Sequence, residues 1–189
     1  MPDQRDRVRI EDGPKRVRTY LGGELIPPTT QSDDGFKKGV LDTDPSIQYV
    51  HTIVGNFNDA EKAKEAAAAQ ISAGVDVIFG LLDAGFPGVE QAVAESHKNV
   101  LLINPIVARC TEGSNIVGVT ALSSSNLVVS IVNDYLNGTM PAQPKFYGVE
   151  DPNIQSFQLC DSYKSQLQAT VDDITQKLNS GSITLPQGV

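Results

Sequence analysis

The chain has no long apolar run. Nothing in its 189 residues approaches the roughly 18 consecutive apolar residues of a helical membrane span. The amino-terminal stretch MPDQRDRVRIEDGPKRVRTY has basic residues but no apolar segment behind them, so it does not read as a secretory signal. Residues 1–15 are expected to be a flexible tail of mixed charge. Cysteine is nearly absent. Cys110 and Cys160 are too few for a disulfide scaffold and lack metal-ligand spacing; they read first as small buried or half-buried residues, with a bond between them as the alternative. The two histidines, His51 inside an expected strand and His97 on a connecting turn, suggest structural or solvated roles. A net charge of −8 spread along the chain disfavours general attraction to nucleic acid or anionic lipid.

Enzyme signatures are missing too. There is no G-x-S-x-G, no G-x-x-x-x-G-K-[ST], no G-x-G-x-x-G after the first strand and no H-E-x-x-H. No nucleophile, acid–base pair or phosphate loop can be assembled, so the sequence nominates no catalytic residue, no metal ligand and no cofactor.

What is present is alternation. Short apolar runs expected as strands at 17–21, 48–54, 75–82, 100–104, 115–120 and 145–149 are separated by helical patterns, which indicates an α/β fold with a mostly parallel, Rossmann-like sheet covered on both faces. The helices are expected from about Ser32, from Asp59 as N-cap to Ala73, over Phe86–Ser96, over Ser124–Asn137, and from Asp161 to Ser180. Residues 16–123 then form an α/β unit, to which 124–189 add a helix, a strand and a last helix.

In such a sheet every turn that follows a strand falls on one edge, the edge where open α/β folds bind ligands. Asn56, Phe57, Asp83, Gly85, Phe86, Asn104, Glu150 and Asp151 occupy those turns. Carboxylates and amides suit hydroxyls and ring nitrogens, and phenylalanine suits a flat apolar face. The same residues have purely structural roles open to them: Asp83 capping a helix, Phe86 plugging the core, Asn104 shaping a turn before Pro105.

The order of GFKKGV, DPSIQYVHTIVGNFNDAEKAKEAAAAQISAGVDVIFG, FPGVEQAVAES, DYLNGT and FYGVED resembles the second lobe and closing segments of the basic membrane protein family, over about residues 17–189. These are substrate-binding lipoproteins of ABC uptake systems with the type 1 periplasmic binding protein fold, often specific for purine nucleosides. The resemblance implies a non-catalytic solute-binding protein, or a shortened form of one, that is extracytoplasmic or membrane-anchored. Its partners would be a small-molecule ligand, a purine nucleoside in the family's usual case, and an ABC permease. It also implies that the chain supplies one lobe of a two-lobed cleft, so that the fourth helix and part of the last expose apolar faces and favour self-association. Carried onto this sequence, the family's ligand positions fall on the turn Asp83, Gly85 and Phe86, with Phe86 as the base-stacking residue. Asn104 stands where the family has an aspartate on the ribose, and Leu122 where it has a lysine. Losing those two charge-assisted hydrogen bonds removes on the order of 1.5–3 kcal/mol each and weakens the nucleoside reading. A ligand-sensing or interaction domain that dimerises through the exposed crossover surface is the second reading, and a small α/β enzyme the third.

Overall fold

The computed structural model describes residues 16–105, 110, 115–143 and 147–186. The expected tail at 1–15 and the first residues of the strand expected at 145–149 lie outside them. Eleven elements follow one another: β1 (Val17–Gly22), α1 (Pro27–Thr43), β2 (Gln48–Ile53), α2 (Ala60–Ser72), β3 (Val75–Leu81), α3 (Phe86–Ser96), β4 (Leu101–Pro105), β5 (Ile116–Leu122), α4 (Ser124–Leu136), β6 (Gln155–Leu159) and α5 (Asp161–Asn179). They build one six-stranded sheet in the order β2-β1-β3-β4-β5-β6. The first five strands are parallel and β6 closes one edge antiparallel to β5.

Local chemistry accounts for most boundaries. The Asp59 side chain accepts a hydrogen bond from the Lys62 amide, which starts α2 and holds the Asp59 carboxyl below the usual carboxylate range. Gly74 ends α2 with a backbone φ of 97°, a conformation only glycine adopts cheaply. Helix α1 begins five residues before the expected Ser32, because Pro27 and Pro28 occupy its first turn, where no amide donor is needed and the ring fixes a helical φ.

Strand β1 is central and buried along its whole length. On one sheet face Leu21, Ile78, Leu102 and Ile116 pack with Ala63, Ala67 and Ile71 of α2 and Val89, Ala92 and Val93 of α3. The two helices lie unusually close: a Cβ on Gly88 would sit 2.0 Å from the Ala60 carbonyl oxygen, so the alanine face of α2 and the glycine of α3 permit the contact together. The other face is aromatic. Phe79 meets Tyr20 edge-on at 5.4 Å and Phe36 of α1 at 5.3 Å, and Phe36 also meets Tyr49 at 6.0 Å.

The sixth strand is not where its sequence pattern places it. Residues 147–150 form no strand; the Gly148 amide donates to Glu150 Oε1 at 2.9 Å, and a further turn at Asp151 follows, with the Ile154 amide donating to its carbonyl. The strand is Gln155–Leu159, and its pairing with Leu122–Gly118 rather than its own composition makes it one. The cysteines are likewise corrected in part: Cys160 is buried as expected, but it is joined to Cys110, in the β4–β5 connection, by a disulfide with Cα atoms 5.2 Å apart. Helix α4 has no buried residue. Val128, Val132, Tyr135 and Leu136, spaced as one helical face, are all exposed, the last two at 74% and 73%, which agrees with the expectation of an uncovered apolar face.

Candidate functional site

The strand order reverses between β1 and β3, so the crevice at their carboxyl ends is the topological switch point at which open α/β sheets take ligands. Three loops meet there and are stitched by backbone bonds. Gly23 donates to the Leu81 carbonyl at 3.1 Å and Gly55 to the Gly23 carbonyl at 2.7 Å. Asp83 and Gly85 both donate to the Phe57 carbonyl, at 3.0 and 2.9 Å, and the Ala84 amide donates to Asn58 Oδ1 at 3.3 Å. The half-buried Phe57 ring lies directly over Gly23: a Cβ there would stand 2.2 Å from the ring. Gly23 is therefore required as glycine by close approach, not by its dihedral angles.

The sequence-nominated residues reach this edge but are not one cluster. Asp83 is exposed, and its carbonyl accepts from the Phe86 amide. Gly85 is buried as the residue before α3, with the Phe57 carbonyl oxygen 2.9 Å from where a Cβ would be. Asn104 is only 4% exposed, in β4 opposite Val119 of β5. Leu122 ends β5 and is 40% exposed. Neighbouring strands are ~4.8 Å apart, so the ends of β3 and β5 stand about 10 Å from each other.

Phe86 does not occupy a stacking position. Its side chain is 3% exposed, belongs to the core beneath β3, and fills the space that a Cβ on Gly80 would need. The first residue of α3 points inward because that helix buries Phe86, Val89 and Val93 on one face. The structural role open to Phe86 in the sequence is the one the fold uses, and a flat ligand finds no ring surface there. Phe57 is the aromatic residue that the switch point presents.

A second feature of the same edge was legible only in part. Antiparallel β6 carries the chain away from the edge and α5 brings it back, so the end of α5 reaches the edge where α1 begins. Between them lies an open cavity of about 580 Å³, whose lining includes Gln31, Tyr147, Glu150, Gln155, Leu178 and Leu185. Gln155 pairs with Leu122, so the cavity adjoins the end of β5. Glu150 was recognisable as an edge residue. Gln31 and Gln155 carried no signal, since a glutamine on a polar helix or edge strand is ordinary. Among the described residues of the edge loops every charged side chain is acidic: Glu24, Asp59, Asp83, Glu150 and Asp151.

The remaining polar groups have structural partners. His51 Nδ1 is 2.5 Å from Asp33 Oδ2, and Asp33 also accepts from the Tyr49 hydroxyl, tying α1 to β2. Burial, and then Asp33, push the Tyr49 hydroxyl well above the usual phenol range. No group of metal-ligating side chains occurs among the described residues, and no described helix is long and apolar enough to cross a membrane.

The sheet order, the covered faces and the ligand edge define a lobe of the type 1 periplasmic binding protein fold. Solved structures share it: an ABC transporter system solute-binding protein from Conexibacter woesei (20% identity, TM-score 0.65, 91% of this chain and 57% of that one), a transcriptional activator of the comK gene from Bacillus halodurans (17%, 0.71, 90% and 58%), and a glucose-galactose binding protein from Geobacillus stearothermophilus (14%, 0.59, 77% and 53%). No curated protein matches the chain in sequence. Residues 15–188 match the family described as ABC transporter substrate-binding protein PnrA-like, Bmp, and the chain belongs to that family. It spans a little over half the length of the solved structures it matches.

Proposed function

We propose that this chain is a non-catalytic solute-binding lobe of an ABC uptake system that takes a small uncharged hydroxylated molecule at the carboxyl edge of its sheet. Residues 16–123 act as the ligand-binding lobe and 124–189 as crossover and closing segments. The protein then works outside the cytoplasmic membrane, where it hands its solute to a permease. The observation that carries this reading is the match to the substrate-binding family, which runs through the sheet and both closing helices. The acids Glu24, Asp83, Glu150 and Asp151 at this edge support the ligand's lack of negative charge, because they would repel a phosphate. A structural relative that binds glucose and galactose supports a hydroxylated ligand.

Nucleoside specificity is weak on this reading. Asn104 and Leu122 replace the acid and base that the family resemblance places on the ribose, and Phe86 offers no stacking face. Adenosine, guanosine and inosine are expected to bind at millimolar affinity or weaker, with their 5′-monophosphates about ten-fold weaker still. Calorimetry with both sets is the check. Micromolar binding of any nucleoside would overturn the specificity, and monophosphates binding as well as nucleosides would overturn the charge argument.

The exposed face of α4 favours a second property, self-association of this chain. Its apolar stripe is on the order of 500 Å², comparable with the largest patch on ordinary monomers, and two such stripes face to face bury about the 1,000 Å² that a specific interface requires. A two-fold pairing uses the same stripe twice. Light scattering should therefore find dimer at ~100 μM, where a weak interface of this size is populated, and Val132→Asp should return it to monomer. A wild-type monomer at that concentration sinks this idea.

A further inference from the structure

We infer that the open cavity between the first turns of α1 and the end of α5 is a binding pocket for an uncharged hydroxylated ring of monosaccharide size. Glu150, Gln155 and Gln31 are its specificity-determining residues. The inference rests on the solute-binding reading above and locates the ligand within the edge. It also replaces a nucleoside base by a saturated ring.

Three observations converge. The first is size and place. A cavity of about 580 Å³ lies in the range of small-molecule sites, and it stands at the sheet edge where this fold class binds ligands. The second is lining chemistry. Side-chain amides of Gln31 and Gln155 and the carboxylate of Glu150 supply paired donors and acceptors at three separate points, one on α1, one in the turn after residue 147 and one on β6. A ring hydroxyl both donates and accepts, so this mixture matches it, whereas a phosphate would have to face Glu150. Leu178, Ile183 and Leu185 add apolar surface to the lining, suited to the C–H face of a sugar ring.

The third is that Glu150 is held in position. Its Oε1 accepts from the Gly148 amide at 2.9 Å, and its Oε2 lies 2.7 Å from where a Cβ on Gly148 would stand. The carboxylate folds back over Gly148, close enough that a larger residue there would displace it. A carboxylate fixed by its own backbone loses little freedom when a hydroxyl arrives, which is the condition for useful affinity from few contacts. Phe86 is buried away from the cavity, and the described aromatic residue of the lining is the half-buried Tyr147, whose ring suits the C–H face of a saturated ring.

The test is calorimetry, with ligand-detected NMR for weak binding, on the full chain with D-glucose, D-ribose, ribose 5-phosphate and adenosine. Millimolar or tighter binding of glucose or ribose is expected. Glu150→Gln and Gln31→Ala should each weaken it about ten-fold, the size of one lost charge-assisted or well-placed hydrogen bond, while Lys64→Ala on the far α2–α3 surface leaves it unchanged. Ribose 5-phosphate should bind about ten-fold more weakly than ribose, and adenosine no more tightly than ribose. Sugar binding that Asn104→Ala abolishes and Glu150→Gln leaves intact would keep the solute-binding reading and overturn this pocket. Adenosine binding more than ten-fold tighter than ribose would overturn the ring class, since a base would then be recognised. Failure of glucose and ribose to bind would overturn the pocket, while the solute-binding reading, which rests on the family match, would stand. Retained thermal unfolding temperatures of Glu150→Gln and Gln31→Ala separate lost affinity from lost fold, and Gln155→Leu on the edge strand gives an independent third point.

Discussion

The double replacement Cys110→Ser with Cys160→Ala should lower the free energy of unfolding by about 4 kcal/mol, because the bridge closes a loop of 50 residues and loop-closure entropy grows with the logarithm of loop length. The chain's topology makes the effect local as well as global. Helix α5 has no buried residue, and Cys160 is the residue that precedes it. The covalent bond therefore fastens the junction of β6 and α5 to the connection between β4 and β5. Alanine is chosen at 160 because that site is buried and a hydroxyl there would add a desolvation cost of its own. Urea unfolding of oxidised wild type, reduced wild type and the double variant is the measurement. Reduced wild type and the variant should agree; a loss below 1 kcal/mol in both would mean that the unfolded chain gains almost nothing from the missing bond. The bridge also accords with work in an oxidising compartment, where such bonds persist.

Asp76→Ala should cost about 3 kcal/mol, because it strands a buried guanidinium. Arg18 lies in the central strand β1 with its side chain 10% exposed, and it is paired with Asp76 at the irregularity where the β1–β3 register shifts. Burial, and then the neighbouring Arg16, already work against the Arg18 charge and lower its pKa. Without the carboxylate nothing described offsets that desolvation. The double variant Arg18→Met/Asp76→Ala should recover more than half of the loss, since it removes the charge along with its partner. Denaturant midpoints at pH 7 and unchanged m-values test both statements. A single variant within 0.5 kcal/mol of wild type would show that water reaches the guanidinium and that the pair is a surface pair in effect.

Several features were readable before any coordinates because their causes are local. The Asp59 cap and the Gly74 stop bound α2 to within a residue of the expected span, and α3 runs over the expected Phe86–Ser96. The apolar run of β3 announced a strand covered on both faces. The amphipathic excess of α4 announced a face that the sheet leaves uncovered. Other features had misleading local patterns. The aromatic and β-branched FYGV reads as a strand, whereas Gln155-Ser156-Phe157-Gln158-Leu159 is mostly polar and becomes one only by lying beside β5. Phe86 offered a site role and a core role, and only the packing of α3 beneath β3 selects the core.

The sequence by itself determined the alternation of strands and helices, the caps, the absence of enzyme signatures and the family, since periodicity and capping act over one to four residues and survive without knowledge of neighbours. Tertiary structure alone decided which cysteine meets which, which strand closes the sheet, where Phe86 points and that Gln31 shares a cavity with Glu150 and Gln155. Those pairs are brought together by chain returns of tens to more than a hundred residues, through contacts that leave no period in the sequence.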